Sequence, residues 1–88
     1  MNFRREHSLG KDEARRRVDD VAASIASTYG LSSAWRGDAL NISGSGVNGR
    51  IAVDERNIDV NVKLGFALKL LEGTIRKSIE DALDKHLA

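Results

Sequence analysis

The chain has 88 residues, enough for one ordinary core, and its fourteen basic and thirteen acidic residues leave a net charge of +1. Such a balance gives little long-range attraction to nucleic acid or anionic lipid. The absence of cysteine excludes disulfides and thiolate metal sites, and the absence of proline excludes cis-prolyl turns.

One domain spanning residues 1–88 is expected. The first twenty residues carry Arg4, Arg5, Glu6, Lys11, Asp12, Glu13, Arg15, Arg16 and Arg17 with no apolar run behind them. No secretory signal is therefore expected, and the cytoplasm is the expected compartment. No stretch approaches the ~20 apolar residues that a membrane span requires.

Asn2 to His7 reads as a short first strand in which Phe3 is the only large apolar side chain. Ser8 is placed to cap the following helix, and Asp12 with Glu13 suit its positive end. Ala14, Val18, Val21, Ala22, Ile25, Ala26 and Tyr29 then recur at steps of three and four, which predicts an amphipathic helix. Gly30 supplies a left-handed stop. On the opposite face Asp12, Glu13, Asp19 and Asp20 stand four residues from the arginines, so Arg15-Arg16-Arg17 reads as a self-neutralised solvated face.

After Leu31 the period falls to two. Leu40 and Ile42, then Val47, Gly49, Ile51 and Val53, then Ile58, Val60, Val62 and Leu64 predict three strands in an antiparallel meander. The opposite face carries Asn48, Arg50, Asp59, Asn61 and Lys63. A second helix closes the chain, with Leu68, Leu71, Ile75, Ile79, Ala82, Leu83 and Leu87 as its core stripe. The predicted class is α+β in the order β-α-β-β-β-α, an antiparallel sheet with both helices packed on one face.

Few residues qualify as chemical sites. Gly44-Ser45-Gly46-Val47-Asn48-Gly49 matches the dinucleotide fingerprint literally, but a strand follows where the fingerprint needs a helix, so a glycine-rich hairpin is expected and no cofactor. Arg36-Gly37-Asp38 resembles an adhesion tripeptide, yet Gly37 reads better as a bend or bulge beside Trp35. His7 and His86 stand at opposite ends of the chain without a fixed carboxylate partner, a poor basis for a metal or catalytic site. No serine sits in a nucleophile elbow and no isolated carboxylate pair lies among apolar residues, so no catalytic residue is expected and the protein is read as a binding protein rather than an enzyme.

Phe66 and Leu70 stand apart. At 100° per residue both fall nearly opposite the Leu71/Ile75/Ile79 stripe, which would expose two large apolar side chains to a partner. If Phe66 instead continues the last strand, Leu70 alone is exposed. The order α-β-β-β-α with helices on one face also occurs in double-stranded-RNA-binding domains, and ribosome hibernation factors share the full β-α-β-β-β-α order, which is analogy of fold alone. Arg4, Arg5, Arg15, Arg16 and Arg17 would form the basic contact of a nucleic-acid-binding or ribosome-associated module. Lys63 and Lys69, however, are interrupted by apolar residues and the sheet has no paired aromatics, which disfavours nucleic acid.

Several short patterns together resemble one family across the whole chain. They are His7-Ser8-Leu9-Gly10 leading to Glu13-Ala14-Arg15, the Tyr29-Gly30 helix end, Trp35-Arg36-Gly37-Asp38, Val47-Asn48-Gly49-Arg50-Ile51, and Leu64-Gly65 before the last helix. The chain is similar to the small bacterial polyhydroxyalkanoic acid system proteins, also called polyhydroxyalkanoate granule-region proteins. That likeness implies an accessory role in polyester storage, with a granule surface or a granule protein as partner; the Phe66 and Leu70 patch read from helix geometry would be its contact, and so weak a contact would favour a homodimer or a protein partner. It carries over no catalytic or ligand residue. The matched residues read as structural: Trp35 in the core, Gly30 and Gly49 for backbone geometry, Ser8 as a cap. The first strand departs from an alternating apolar pattern, since Arg5 and His7 share a side with Phe3, and its pairing is left open.

Overall fold

A computed structural model describes residues 1–87. The elements run β1 (Asn2–Glu6), α1 (Lys11–Tyr29), β2 (Ser32–Arg36), β3 (Ala39–Gly44), β4 (Val47–Val53), β5 (Asn57–Leu64), a 3₁₀ segment (Phe66–Leu71) and α2 (Glu72–Leu87). The strands form one antiparallel sheet in the order β1-β5-β4-β3-β2. The fold is α+β, as the periodicities predict.

The sheet has a fifth strand, β2, beside the first strand and the meander. Its sequence, Ser32-Ser33-Ala34-Trp35-Arg36, buries only Trp35, and only in part, so it carries no alternation to read. It pairs with β3 alone and forms one edge of the sheet. The other edge is β1, which pairs antiparallel with β5. That pairing places Arg5 opposite Ile58 and Phe3 opposite Val60, on the face the helices cover. The edge position explains how an arginine is tolerated there. Its stem lies along the sheet while its guanidinium reaches Glu80 at 3.7 Å and Asp84 at 3.1 Å on α2.

Both helices pack on one face. Ala14, Val18, Val21, Ala22 and Ile25 of α1 meet Leu40, Ile42, Ile51, Val53, Ile58, Val60 and Val62 of the sheet, and Ile75, Ile79 and Leu83 of α2 complete the core. Arg17, near the start of α1, donates to the His86 carbonyl at 2.6 Å, while Tyr29, at its end, donates to Ser78 Oγ at 3.4 Å. The helices are therefore antiparallel, and Arg17 satisfies a carbonyl of the last turn of α2 that has no partner within the helix. Among the described residues no polar or charged side chain is buried.

The connections follow local chemistry. Gly30 closes α1 at φ 67°, ψ 41°, a left-handed conformation that glycine adopts without a Cβ penalty. Gly37, at φ 59°, is the first of two loop residues joining β2 to β3, the position a type II′ hairpin reserves for glycine. Ser45 and Gly46, at φ 51° and 80°, join β3 to β4, both positive as a type I′ turn demands. The fingerprint-like glycines thus serve a hairpin.

Three sequence expectations need correction. Ser8 does not cap α1: Gly10 holds that position at φ 77°, ψ 163° without a side-chain hydrogen bond, and only the acidic first turn remains of the expected N-terminal device. Trp35 is not in the core but roofs its edge. Its ring lies 4.4 Å beneath the Arg15 guanidinium, and its indole N–H donates to Asp19 Oδ1 at 3.0 Å. Gly49 needs no unusual backbone geometry, since its φ is not positive.

Candidate docking site

The chain leaves β5 at Leu64, and Gly65 turns it by donating its N–H to the Gly46 carbonyl at 2.7 Å. Phe66 to Leu71 then wind as a 3₁₀ helix before α2 begins, so Phe66 does not continue β5. Six residues is long for this conformation, whose runs seldom exceed three or four. The tighter winding changes which side chains share a side. At three residues per turn Leu68 and Leu71 are aligned, while Phe66 and Leu70 splay about 120° apart instead of stacking one turn above each other.

The accessibilities follow this geometry. Phe66 is 92% exposed and Leu70 95%, as the sequence led one to expect of an outer face, and Leu71 is 51% exposed. Leu71 therefore leaves the core stripe predicted for the last helix, which is buried only at Ile75, Ile79 and Leu83. A 3.6-residue period carried through this stretch puts Leu71 in the core, whereas the chain winds there with a period of three. Five of the segment's six residues are apolar, Lys69 being the exception, yet none is buried. An element that is apolar on every side ordinarily has something on every side.

Beneath the segment lies a cavity of about 130 Å³ between the helices and the sheet. Leu68, Leu71, Ile75 and Ile79 wall it from the segment and α2, Ile25 and Tyr29 from α1, and Ile42 and Val62 from the sheet. Gly49, on the central strand β4, contributes no side chain to this wall. Its registered neighbours are Ile42 on β3 and Val62 on β5, both of which face the helices. The cavity, and Gly49 with it, gave no signal in the sequence, because a missing side chain leaves the period-2 pattern intact.

The arginines proposed as a basic contact are dispersed, and each has an acidic partner. Arg4 holds Asp59 at 2.6 Å, which raises the guanidinium above its ordinary value. Arg5 bridges to α2, Arg15 reaches Asp38 at 3.6 Å, and Arg16 and Arg17 approach Glu13 at 3.7 and 3.8 Å. Asp38 also takes Lys11 at 3.3 Å, so the Arg36-Gly37-Asp38 hairpin has its carboxylate engaged.

The titratable groups have structural duties. Asp54 accepts the amide hydrogens of Arg56 and Asn57 at 2.8 and 2.6 Å in the β4–β5 turn, which holds its carboxyl below the ordinary value. Hydrogen bonding from Arg76 lowers Glu80 in the same sense. His7 Nδ1 accepts the Leu9 amide at 3.2 Å, so the neutral ring carries its proton on Nε2, 3.0 Å from the Asp54 carbonyl. His86 offers its backbone carbonyl to Arg17. Among the described residues no group of three or more histidine and acidic side chains is placed to hold a metal ion. None of the described helices is long and apolar enough to cross a membrane.

Comparison with curated proteins and with solved structures found no match. A family model described as "Putative polyhydroxyalkanoic acid system protein" matches residues 1–87. That span takes in the motifs from His7 to Gly65 and every element of the fold, including the exposed 3₁₀ segment, and the chain therefore belongs to the polyhydroxyalkanoic acid system protein family.

Proposed function

We propose that the protein is a non-catalytic accessory of polyhydroxyalkanoate storage that docks through its 3₁₀ segment onto the granule, in the cytoplasm. The observation that carries this reading is the segment itself: Phe66, Leu70 and half of Leu71 project as bare apolar surface from a small domain whose other large apolar side chains are buried or partly covered. A polyester particle in water presents apolar surface of the same kind.

The contact is modest for one copy. Covering a Phe or Leu side chain contributes about 1.5–3 kcal/mol, and association costs at least ~4 kcal/mol in lost freedom. Two linked copies on one granule would raise the effective concentration of the second contact, so dimerisation would convert weak docking into retention.

Sedimentation of the purified protein with native granules and with protein-free polymer particles tests the reading and locates the contact. Retention on both places it on the polymer, and retention on native granules alone places it on a granule protein. Retention on neither would refute the proposal.

A further inference from the structure

The cavity under the 3₁₀ segment offers more than a surface. We propose that it is a binding pocket for one linear alkyl chain of about five carbons, the hydrocarbon part of a hydroxyalkanoic acid, with the oxygen-bearing end left at the mouth.

The size fits. Apolar cavities of ~150 Å³ lined by aliphatic and aromatic side chains stay dry and admit benzene, so about 130 Å³ has room for five or six carbons. The walls fit too: Ile25, Ile42, Val62, Ile75 and Ile79 offer hydrocarbon, while Ser45 and Arg50, which also line the space, are exposed residues, so among the described residues no charged side chain is buried to hold a carboxylate inside. The alkyl chain must therefore enter first.

Gly49 is an independent observation. It occupies the middle of the central strand, where glycine weakens a sheet and where no positive φ calls for it. The ladder runs unbroken through it, with Ile42 on one side and Val62 on the other, so it marks no bulge. A Cβ built there would meet its nearest neighbour, Val62 Cγ2, at 3.5 Å, an ordinary contact. Neither backbone nor neighbouring atoms require glycine at this site. What its hydrogen leaves open is the floor of the cavity, and a ligand approaching closely is one of the few reasons for a glycine inside a strand.

Access lies at the 3₁₀ segment. Leu68 and Leu71 wall the cavity from a segment with no buried residue, and Leu71 stands half in solvent. Phe66 and Leu70, on the same segment, do not line the cavity. The choice of hydroxyalkanoates as ligands rests on the storage reading, whereas the preference for an alkyl chain rests on the cavity alone.

The test is a titration of the full-length protein with methyl esters of 3-hydroxyalkanoic acids of increasing length, followed through the methyl resonances of Ile42, Val62 and Ile75. Affinity should rise about four-fold per methylene. It should level off once the alkyl chain exceeds about five or six carbons. Gly49→Val should weaken binding at least ten-fold while the thermal midpoint stays or rises, and Gly49→Ala, which adds only the Cβ that fits, should weaken it less. Phe66→Ser/Leu70→Ser should leave ester binding intact, which separates this pocket from granule docking. Particles of polymer bearing methyl or pentyl side groups distinguish the sources. Retention favouring pentyl groups and lost in Gly49→Val assigns the pocket to the polymer's own side chains, and equal retention assigns it to the free acid. Affinity independent of chain length, or unchanged in folded Gly49→Val, would overturn the proposal.

Discussion

Replacing Phe66 and Leu70 together with serine should release the protein from granules without unfolding it. Both side chains are almost fully exposed, at 92% and 95%, so neither contributes to the core and the double change should alter folding stability by no more than ~0.5 kcal/mol per site. For a domain of this size the thermal midpoint should then move by only a few degrees, roughly 2–4 °C per site. The effect on docking is far larger. If the granule covers half of each side chain, the two contribute about 1.5–3 kcal/mol, a ten- to hundred-fold change in the bound-to-free ratio. Serine retains almost none of that apolar area. Co-sedimentation at a fixed polymer concentration, with circular dichroism on the same sample, reads both quantities. A double variant that is folded and retained as well as the original chain would refute the assignment of the contact to this segment.

Three further outcomes follow from the fold. Leu40→Ala, which empties a fully enclosed site on β3, should cost about 2–5 kcal/mol in urea denaturation, a large share of what an 88-residue domain possesses. Gly46→Ala forces a Cβ onto a residue at φ 80° and to 3.4 Å from Leu68 Cδ1, so it should cost about 1–2 kcal/mol and lower the thermal midpoint. The acid limb of stability should depend on Asp54 and Glu80. Their folded values lie below the ordinary 3.8 and 4.5, so the stability they contribute is present above those values and lost as pH falls below them. Asp54→Asn, which keeps an oxygen for both amides but cannot titrate, should flatten that limb in a pH series of thermal midpoints.

Much of the fold was legible because most of its elements have one wet and one dry side. The 3.6-residue stripe of α1 and the alternation of β3, β4 and β5 each announce a buried face, and Leu40, Ile51, Ile58 and Val60 lie where those patterns put them. What escaped were elements whose signal is not periodic. Strand β2 buries one side chain in part, so its pairing with β3 is set by the Gly37 hairpin rather than by alternation. Arg5 faces inward because an edge strand lets its head escape to Glu80 and Asp84, an option no pattern reveals. The N-terminus of α1 misled because Ser8 has the right chemistry for a cap, while Gly10, two residues further on, holds the cap position at positive φ and the helix begins at Lys11.

The exposure of Phe66 and Leu70 was legible for a related reason. Phe66 and Leu70 break the stripe of the last helix, and apolar residues that break a pattern are conspicuous. Their arrangement was not, because 3₁₀ winding turns the two apart and brings Leu71 to the surface. The family match adds the biological setting but names no residue.

The proposed docking rests on an apolar contact with the storage granule rather than on ionic attraction. Retention of the purified chain on granules across a salt series, with RNA and ribosomes in parallel, tests that most directly. Retention should hold or strengthen as salt rises, because salt screens charges but not hydrocarbon, and binding to RNA should be weak and salt-sensitive. Retention on RNA or ribosomes alone, lost as salt rises and dependent on Arg4, Arg5 and Arg15 to Arg17, would contradict it.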